Sequence, residues 1–280
     1  MQRVLTALVL IAVVVLIIFK APLWLVVLAA ALVAELALYE YVQLANGSGG
    51  NIQIWLVMFC AAMLFVATFA LPTTLQMPVF GVLAITLFTY AGFSSPLPRV
   101  LPDAAYSVFG LIYVAYPLTL LPLLSARENG IGLLLFLMAV VWSGDVVAMY
   151  TGRAFGKHKF APTISPNKTW EGAAGSMVGS LLAGLAVVEI SNTLAARNIG
   201  TVSFIEPLWQ WLAIAAFLNV AAQTGDLLES ALKRGADVKD SGSILPGHGG
   251  VLDRIDALLL AAPALWYALL VKDYFSQSRF

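Results

Sequence analysis

The chain has 280 residues, of which 61% are hydrophobic and only 11% charged, with a mean hydropathy of +0.91. Soluble domains carry about 25% charged residues, so this composition excludes an ordinary water-soluble globule. The 15 Lys and Arg balance the 15 Asp and Glu, so no basic surplus points to nucleic acid and no acidic surplus to a basic partner.

Runs of roughly 20 apolar residues suffice to cross a bilayer. The sequence predicts an all-α fold: a polytopic transmembrane helical bundle of nine spans, at 4–19, 22–44, 52–70, 78–94, 104–125, 130–151, 172–190, 207–224 and 257–272. The first run follows Arg3 but exceeds a signal-peptide core and is closely followed by another span, so it is expected to be a retained helix. In the second run, Glu40 is expected near the headgroups beside Tyr39 and Tyr41, and Glu35 deeper, paired with a neighbouring helix. The single cysteine, Cys60, lies in an apolar run and is expected to be a packing residue. Asp145, late in the sixth span, is too costly to face lipid and is expected to line an interior or aqueous cavity.

Two connections are strongly polar. Segment 152–171 holds Arg153, Lys157, Lys159 and Lys168, and segment 225–256 holds ten charged residues. With nine spans both fall on the side of the N-terminus, and the Lys/Arg excess of that side makes it cytoplasmic. The expected organisation is one integral-membrane domain over 1–280, with N-terminal hydrophobic helices over 1–129 and a catalytic half over 130–280. Its expected place is the inner (plasma) membrane, with a polar cavity opening to the cytoplasm. A homodimer is compatible with the sequence and required by nothing in it.

The C-terminal polar segment carries the chemistry. If 222–234 is helical, Asp226, Ser230 and Lys233 or Arg234 share one face, with Glu229 beside Asp226. A turn-rich loop folds the chain back, and "HGGVLDRID" opens the last helix with Asp253 and Asp256 one turn apart. Carboxylates so placed suit a hard cation such as Mg²⁺, which commonly shares its site with substrate phosphates. Lys233, Arg234, Lys239 and Arg254 would neutralise phosphate oxygens, and Gly249 and Gly250 would let backbone approach a ligand closely. On spacing alone an ordinary charged loop explains the run equally well. "NKTW" lacks the glycines of a Walker A loop.

The run from Ser230 through Leu232-Lys233-Arg234, Lys239-Asp240, Gly242, Leu245-Pro246, His248-Gly249-Gly250-Val251 to Asp253-Arg254-Ile255-Asp256 resembles the signature of the phosphatidate cytidylyltransferase (CDP-diacylglycerol synthase) family. "RAFGKHKFAPTISPNKTWEG" resembles that family's second polar loop, so the likeness covers about the last half of the chain. It implies a Mg²⁺-dependent membrane enzyme joining CTP and phosphatidate, with membrane lipid as its surroundings and room for a second cation such as K⁺. The family's metal-binding aspartates match Asp226 and Asp253, and Asp256 is added from helical spacing alone. Asp240 and His248 join the catalytic candidates, and His248 also as a contact to phosphate or cytidine. Lys168 is a phosphate-binding candidate from the second loop, while Ser165 and Asn167 are candidates for substrate contact or, more plainly, for capping the seventh span. His158 is expected at the surface, and Gly175 and Gly179 in helix packing. Two other functions use parts of the same chemistry: a CTP-dependent polyprenol or phytol kinase, and a cation transporter. The long signature disfavours the first, and the basic cluster disfavours the second.

Overall fold

The computed structural model describes residues 2–200, 202–244 and 249–277, with side chains from Ile11 to Phe275. Among the described residues ten α-helices dominate: α1 Gln2–Lys20, α2 Leu23–Gly47, α3 Ile54–Ala70, α4 Thr73–Ser94, α5 Val100–Gly110, α6 Tyr116–Ser125, α7 Gly130–Phe155, α8 Trp170–Ala196, α9 Leu208–Gly235 and α10 Leu252–Gln277. A 3₁₀ turn at Leu97–Arg99 and a π-helical turn at Leu111–Ala115 join α5 and α6 into one continuous path. The protein is therefore a helical integral membrane protein.

Among the described residues, seven helical stretches are long and apolar enough to cross a membrane: Leu23–Gly47, Thr73–Ser94, Leu97–Ser125, Gly130–Phe155, Trp170–Ala196, Leu208–Gly235 and Leu252–Phe275. α3, at 17 residues, is a shorter apolar helix, as is Ile11–Lys20 within α1. Seven of the nine runs expected as spans thus form helices long and apolar enough to cross a membrane. α9 and the helix begun by α10 extend well past their apolar runs into polar sequence.

One element falls outside the all-helical expectation. Lys159–Ala161 (β1) pairs antiparallel with Ser165–Thr169 (β2), with an irregular register between Lys159 and Ala161. The hairpin places Phe160 edge-on to Trp170, with ring centroids 4.5 Å apart. Ser165 and Asn167 lie in β2, so they do not cap the next helix. Thr169 does, its Oγ1 accepting the Gly172 N–H at 3.1 Å.

The described chain forms two compact units, one from Met1–Ile17, Ala21–Pro122 and Glu229–Ile255, the other from Ile18–Lys20, Leu123–Leu228 and Asp256–Phe280. In the first, α2 packs on α3 and α4 on α5 around Leu38, Tyr41, Leu64 and Leu87, and Cys60 is buried there. In the second, the main contact is α7 on α8. Small residues permit it: a Cβ on Gly175 would stand 2.1 Å from Thr151 Oγ1, and one on Gly179 would stand 2.7 Å from Val147 Cγ2. A buried polar network closes the same unit. Asn219 Nδ2 donates to Ser176 Oγ and Ser180 Oγ, each at 2.8 Å, while Ser180 Oγ donates to the Val140 carbonyl at 2.8 Å. In a membrane interior such groups must satisfy one another.

Candidate active site

The second unit holds a cluster around Lys168. β2 delivers Lys168 to the start of α8, and its Nζ lies 2.7 Å from Asp226 Oδ2 on α9. Asp145, on α7, stands close enough for the charges of both Asp226 and Lys168 to act on it. The Asp145 side chain is exposed along α7, although the protein around it partly desolvates its carboxyl. A Cβ on Gly225 would lie 2.5 Å from the Asp256 carbonyl oxygen, so α9 and α10 touch closely beside Asp226. The Asp256 carboxylate accepts the Ala257 N–H at 2.7 Å.

The first unit holds a more buried cluster. Lys233 Nζ lies 2.6 Å from Glu229 Oε2 and 2.6 Å from Asp253 Oδ1. The side chains are 13%, 0% and 8% exposed, respectively, so this ion triad is largely withdrawn from water. Asp253 Oδ2 accepts the N–H groups of Gly250 at 2.8 Å and Ser241 at 3.0 Å, pinning the loop to the first turn of α10. Gly249 adopts φ +80°, and a Cβ there would meet Asp253 Oδ2 at 2.7 Å, so the turn suits glycine for two reasons. At Gly250 the space of a side chain is already taken by Ser241 Oγ and Glu40 Oε2, which would lie 2.0 and 2.3 Å from its Cβ. That glycine therefore admits the chain's own carboxylate, where the sequence suggested a ligand.

Glu40 is the group whose partners sequence reasoning missed. It is 1% exposed, and its carboxylate accepts the N–H groups of Val251 at 3.0 Å and Leu252 at 2.8 Å and the Ser241 hydroxyl at 2.9 Å. The default suspicion of any intramembrane carboxylate was its one signal. Glu229 was visible as the i−4 neighbour of Lys233, yet the sequence paired it with Asp226.

The remaining candidates are more open. Arg234 is exposed and donates to the Val238 carbonyl at 2.9 Å, and Lys239, Asp240 and Arg254 are exposed. Ser230 is half-buried on α9. His158, 78% exposed, pairs through Nδ1 with Glu171 at 2.7 Å, as a surface residue should. His248 lies outside the described residues.

Whether these residues suit Mg²⁺ is a question of donors. Among the described residues no group of three or more His, Cys, Asp or Glu side chains is arranged to hold a metal. Mg²⁺ does not need one, since it is commonly held by one or two carboxylates plus waters and substrate phosphates. Each cluster offers two acid side chains around a single ammonium, and oxygen donors of that kind fit a hard cation. Glu40 stands apart from these ion pairs, held by the Ser241 hydroxyl and the N–H groups of Val251 and Leu252.

Residues 1–271 match the model of the Cytidylyltransferase family. The chain belongs to this family. The family match thus reaches the N-terminal helices, where the sequence reading found only shared hydrophobicity. The chain is 33% identical to the phosphatidate cytidylyltransferase of Haemophilus influenzae over 95% of its own length and 97% of the relative's. It is 44% identical over 158 residues to the phosphatidate cytidylyltransferase of Brucella abortus, covering 56% of this chain and 54% of that one. With the protein of the same name from Staphylococcus saprophyticus the identity is 41% over 163 residues, 58% of each chain. Against these last two relatives the cytidylyltransferase match spans little more than half of their length.

Proposed function

We propose that the protein transfers the cytidylyl group of CTP to phosphatidate, releasing pyrophosphate and leaving CDP-diacylglycerol in the membrane. The observation that carries this reading is the near full-length similarity to a relative named phosphatidate cytidylyltransferase. The carboxylate–lysine clusters support it, because they supply what the reaction needs. The same family match favours this reading over the polyprenol kinase and the cation transporter.

In the proposed reaction a phosphate oxygen of phosphatidate attacks the α-phosphorus of CTP. The new P–O–P bond forms as the α–β phosphoanhydride bond breaks, and its electron pair leaves with pyrophosphate. The nucleophile is already anionic, so the main obstacle is repulsion between two polyanions. Lys168 would bind and orient phosphate from the start of α8, held in place by Asp226. Lys233 would do the same where α9 ends, held by Glu229 and Asp253. Arg234, Lys239 and Arg254, exposed nearby in sequence, would hold phosphate oxygens as they gain charge. Ser165, Asn167, Ser230, Asp240 and His248 are proposed as polar contacts to the substrates.

Mg²⁺ is the proposed cofactor, with Asp226, Asp253 and Asp256 as its proposed carboxylates and Asp145 as a proposed substrate contact; when bound, it would offset charge on the phosphates and on departing pyrophosphate. The several carboxylates leave room for a second cation such as K⁺. The Lys/Arg excess on the side of the two polar segments supports a catalytic end facing the cytoplasm, from which CTP arrives. The bacterial relatives support the inner membrane as its location. Pyrophosphate release tests the reading. It should require CTP, phosphatidate and Mg²⁺ together, and release without phosphatidate would contradict it.

A further inference from the structure

We propose that Glu40 is a positioning residue for the reaction: from α2 it holds the first turn of α10, and the loop before it, in the arrangement that presents Asp253. The inference rests on the cytidylyl-transfer reading for its functional consequence and on geometry alone for its structural part.

The N-terminus of a helix leaves backbone N–H groups without partners, and anions are drawn to them. At α10 the protein fills those positions itself. Gly250 donates to Asp253, whereas Val251 and Leu252 both donate to Glu40. Glu40 also accepts the Ser241 hydroxyl, and the backbone N–H of that same serine donates to Asp253 Oδ2. Ser241 thus links the two carboxylates. Fixing Glu40 fixes Ser241 and the start of α10, and these fix the orientation of Asp253 toward Lys233.

Three features show that the contact is built in. Glu40 is 1% exposed and comes from a helix some 200 residues away in sequence, |i−j| = 201 to Ser241. A Cβ on Gly242 would stand 2.4 Å from Glu40 Oε1, and one on Gly250 would stand 2.3 Å from Oε2. Glycines at both positions keep clear the space that the carboxylate fills. Finally, the groups that hold Glu40 are hydrogen-bond donors without charge, so it is not there to complete an ion pair with them.

Supporting groups that orient a metal-binding carboxylate typically change metal affinity or activity by about 10- to 100-fold when removed. The test uses the full-length protein in lipid–detergent micelles, as wild type, Glu40→Gln and Ser241→Ala. Gln retains one acceptor oxygen but turns an N–H₂ group toward backbone donors. Three quantities are measured: amide hydrogen exchange over 249–253 without metal, Mn²⁺ binding by electron paramagnetic resonance without substrate, and lipid product as a function of Mg²⁺.

The expected result for Glu40→Gln is faster exchange over 249–253, Mn²⁺ binding weakened about 10-fold, and a Mg²⁺ half-saturation raised by a similar factor, partly rescued by excess Mg²⁺. Ser241→Ala should shift all three in the same direction by about 3-fold, and it decides the matter should Glu40→Gln fail to fold. If the variants only lower thermal stability or yield, and the folded protein keeps wild-type Mn²⁺ affinity and Mg²⁺ half-saturation, the positioning role is overturned. If wild type makes no cytidylylated lipid while Glu40→Gln still weakens Mn²⁺ binding, the positioning inference stands and the transfer reading fails.

Discussion

The ammonium of Lys233 lies 2.6 Å from Asp253 Oδ1, joining the end of α9 to the first turn of α10 in a position where both side chains are largely buried. A lysine held between two acid groups offsets one of their two negative charges. Under the proposed reaction, stability and catalysis would draw on the same atoms here. The predictions below separate the two.

Asp253→Asn keeps an oxygen for the Gly250 and Ser241 amides but loses the charge that faces Lys233. Glu229 remains to pair with the ammonium, so the protein should stay folded with a stability loss of about 1–3 kcal/mol. Turnover should fall by at least about 100-fold, because a proposed metal-binding carboxylate is lost. Thermal unfolding and initial rates on the same preparation check both halves. Near-normal turnover with Mg²⁺ would remove Asp253 from the metal assignment.

Lys168→Ala should behave in the opposite proportion. Its ion pair with Asp226 is partly exposed and contributes about 0–1 kcal/mol to stability, so the unfolding midpoint should barely move. Loss of a charge-assisted contact to phosphate should still lower kcat/KM by about 10- to 100-fold. Steady-state kinetics against CTP, beside a melting curve, will show whether the lysine acts on substrate or only on Asp226.

Asn219→Ala is the structural contrast. The side chain is buried and serves Ser176, Ser180 and Gln223, far in role from any substrate. Truncation removes three hydrogen bonds from an apolar interior, although Ser180 keeps the Val140 carbonyl and Gln223 that of Ala173, so stability should fall by about 1–3 kcal/mol. Activity per folded molecule should stay within about 2-fold of wild type, a bound that titrated active-site content can test.

Glu206, which precedes α9 and lies outside the spans, pairs with Lys272, whose ammonium also lies 5.4 Å from the Trp211 ring centroid. Burial pushes the Glu206 carboxyl up, but the hydrogen bond and charge of Lys272 outweigh it and leave the pKa below the usual glutamate range. A depressed folded-state pKa stabilises above the unfolded value, and the benefit is lost as pH falls through the folded one. Wild type should thus exceed Glu206→Gln in stability by up to about 1 kcal/mol near pH 7, with the gap narrowing as pH falls below the usual glutamate range. Melting curves of the two proteins across that range measure it.

Much of this architecture was legible because bilayer chemistry leaves few options. Apolar runs of spanning length must be helical, and the spacing of Gly175 and Gly179 announced a close helix contact, which the fold makes with α7. The C-terminal polar run was equally readable: it singled out Lys233 and Asp253, which the fold joins in an ion pair. What was hidden depended on partners distant in sequence. Nothing local to Glu40 reveals that it meets the amides of Val251 and Leu252, and the role of Gly250 cannot be assigned without knowing which group fills the space beside it. The β1–β2 hairpin was missed for another reason: Pro, Asn and Ser in "ISPNKTWEG" signal turns and caps, while its short strands lack an alternating pattern.

The most direct test of the central claim is to follow CTP radiolabelled at its α-phosphate with purified protein, phosphatidate and Mg²⁺. Cytidylyl transfer predicts label in the lipid and an equal amount of unlabelled pyrophosphate in solution. Label retained in soluble CDP, with no labelled lipid, would contradict it and identify phosphoryl transfer instead.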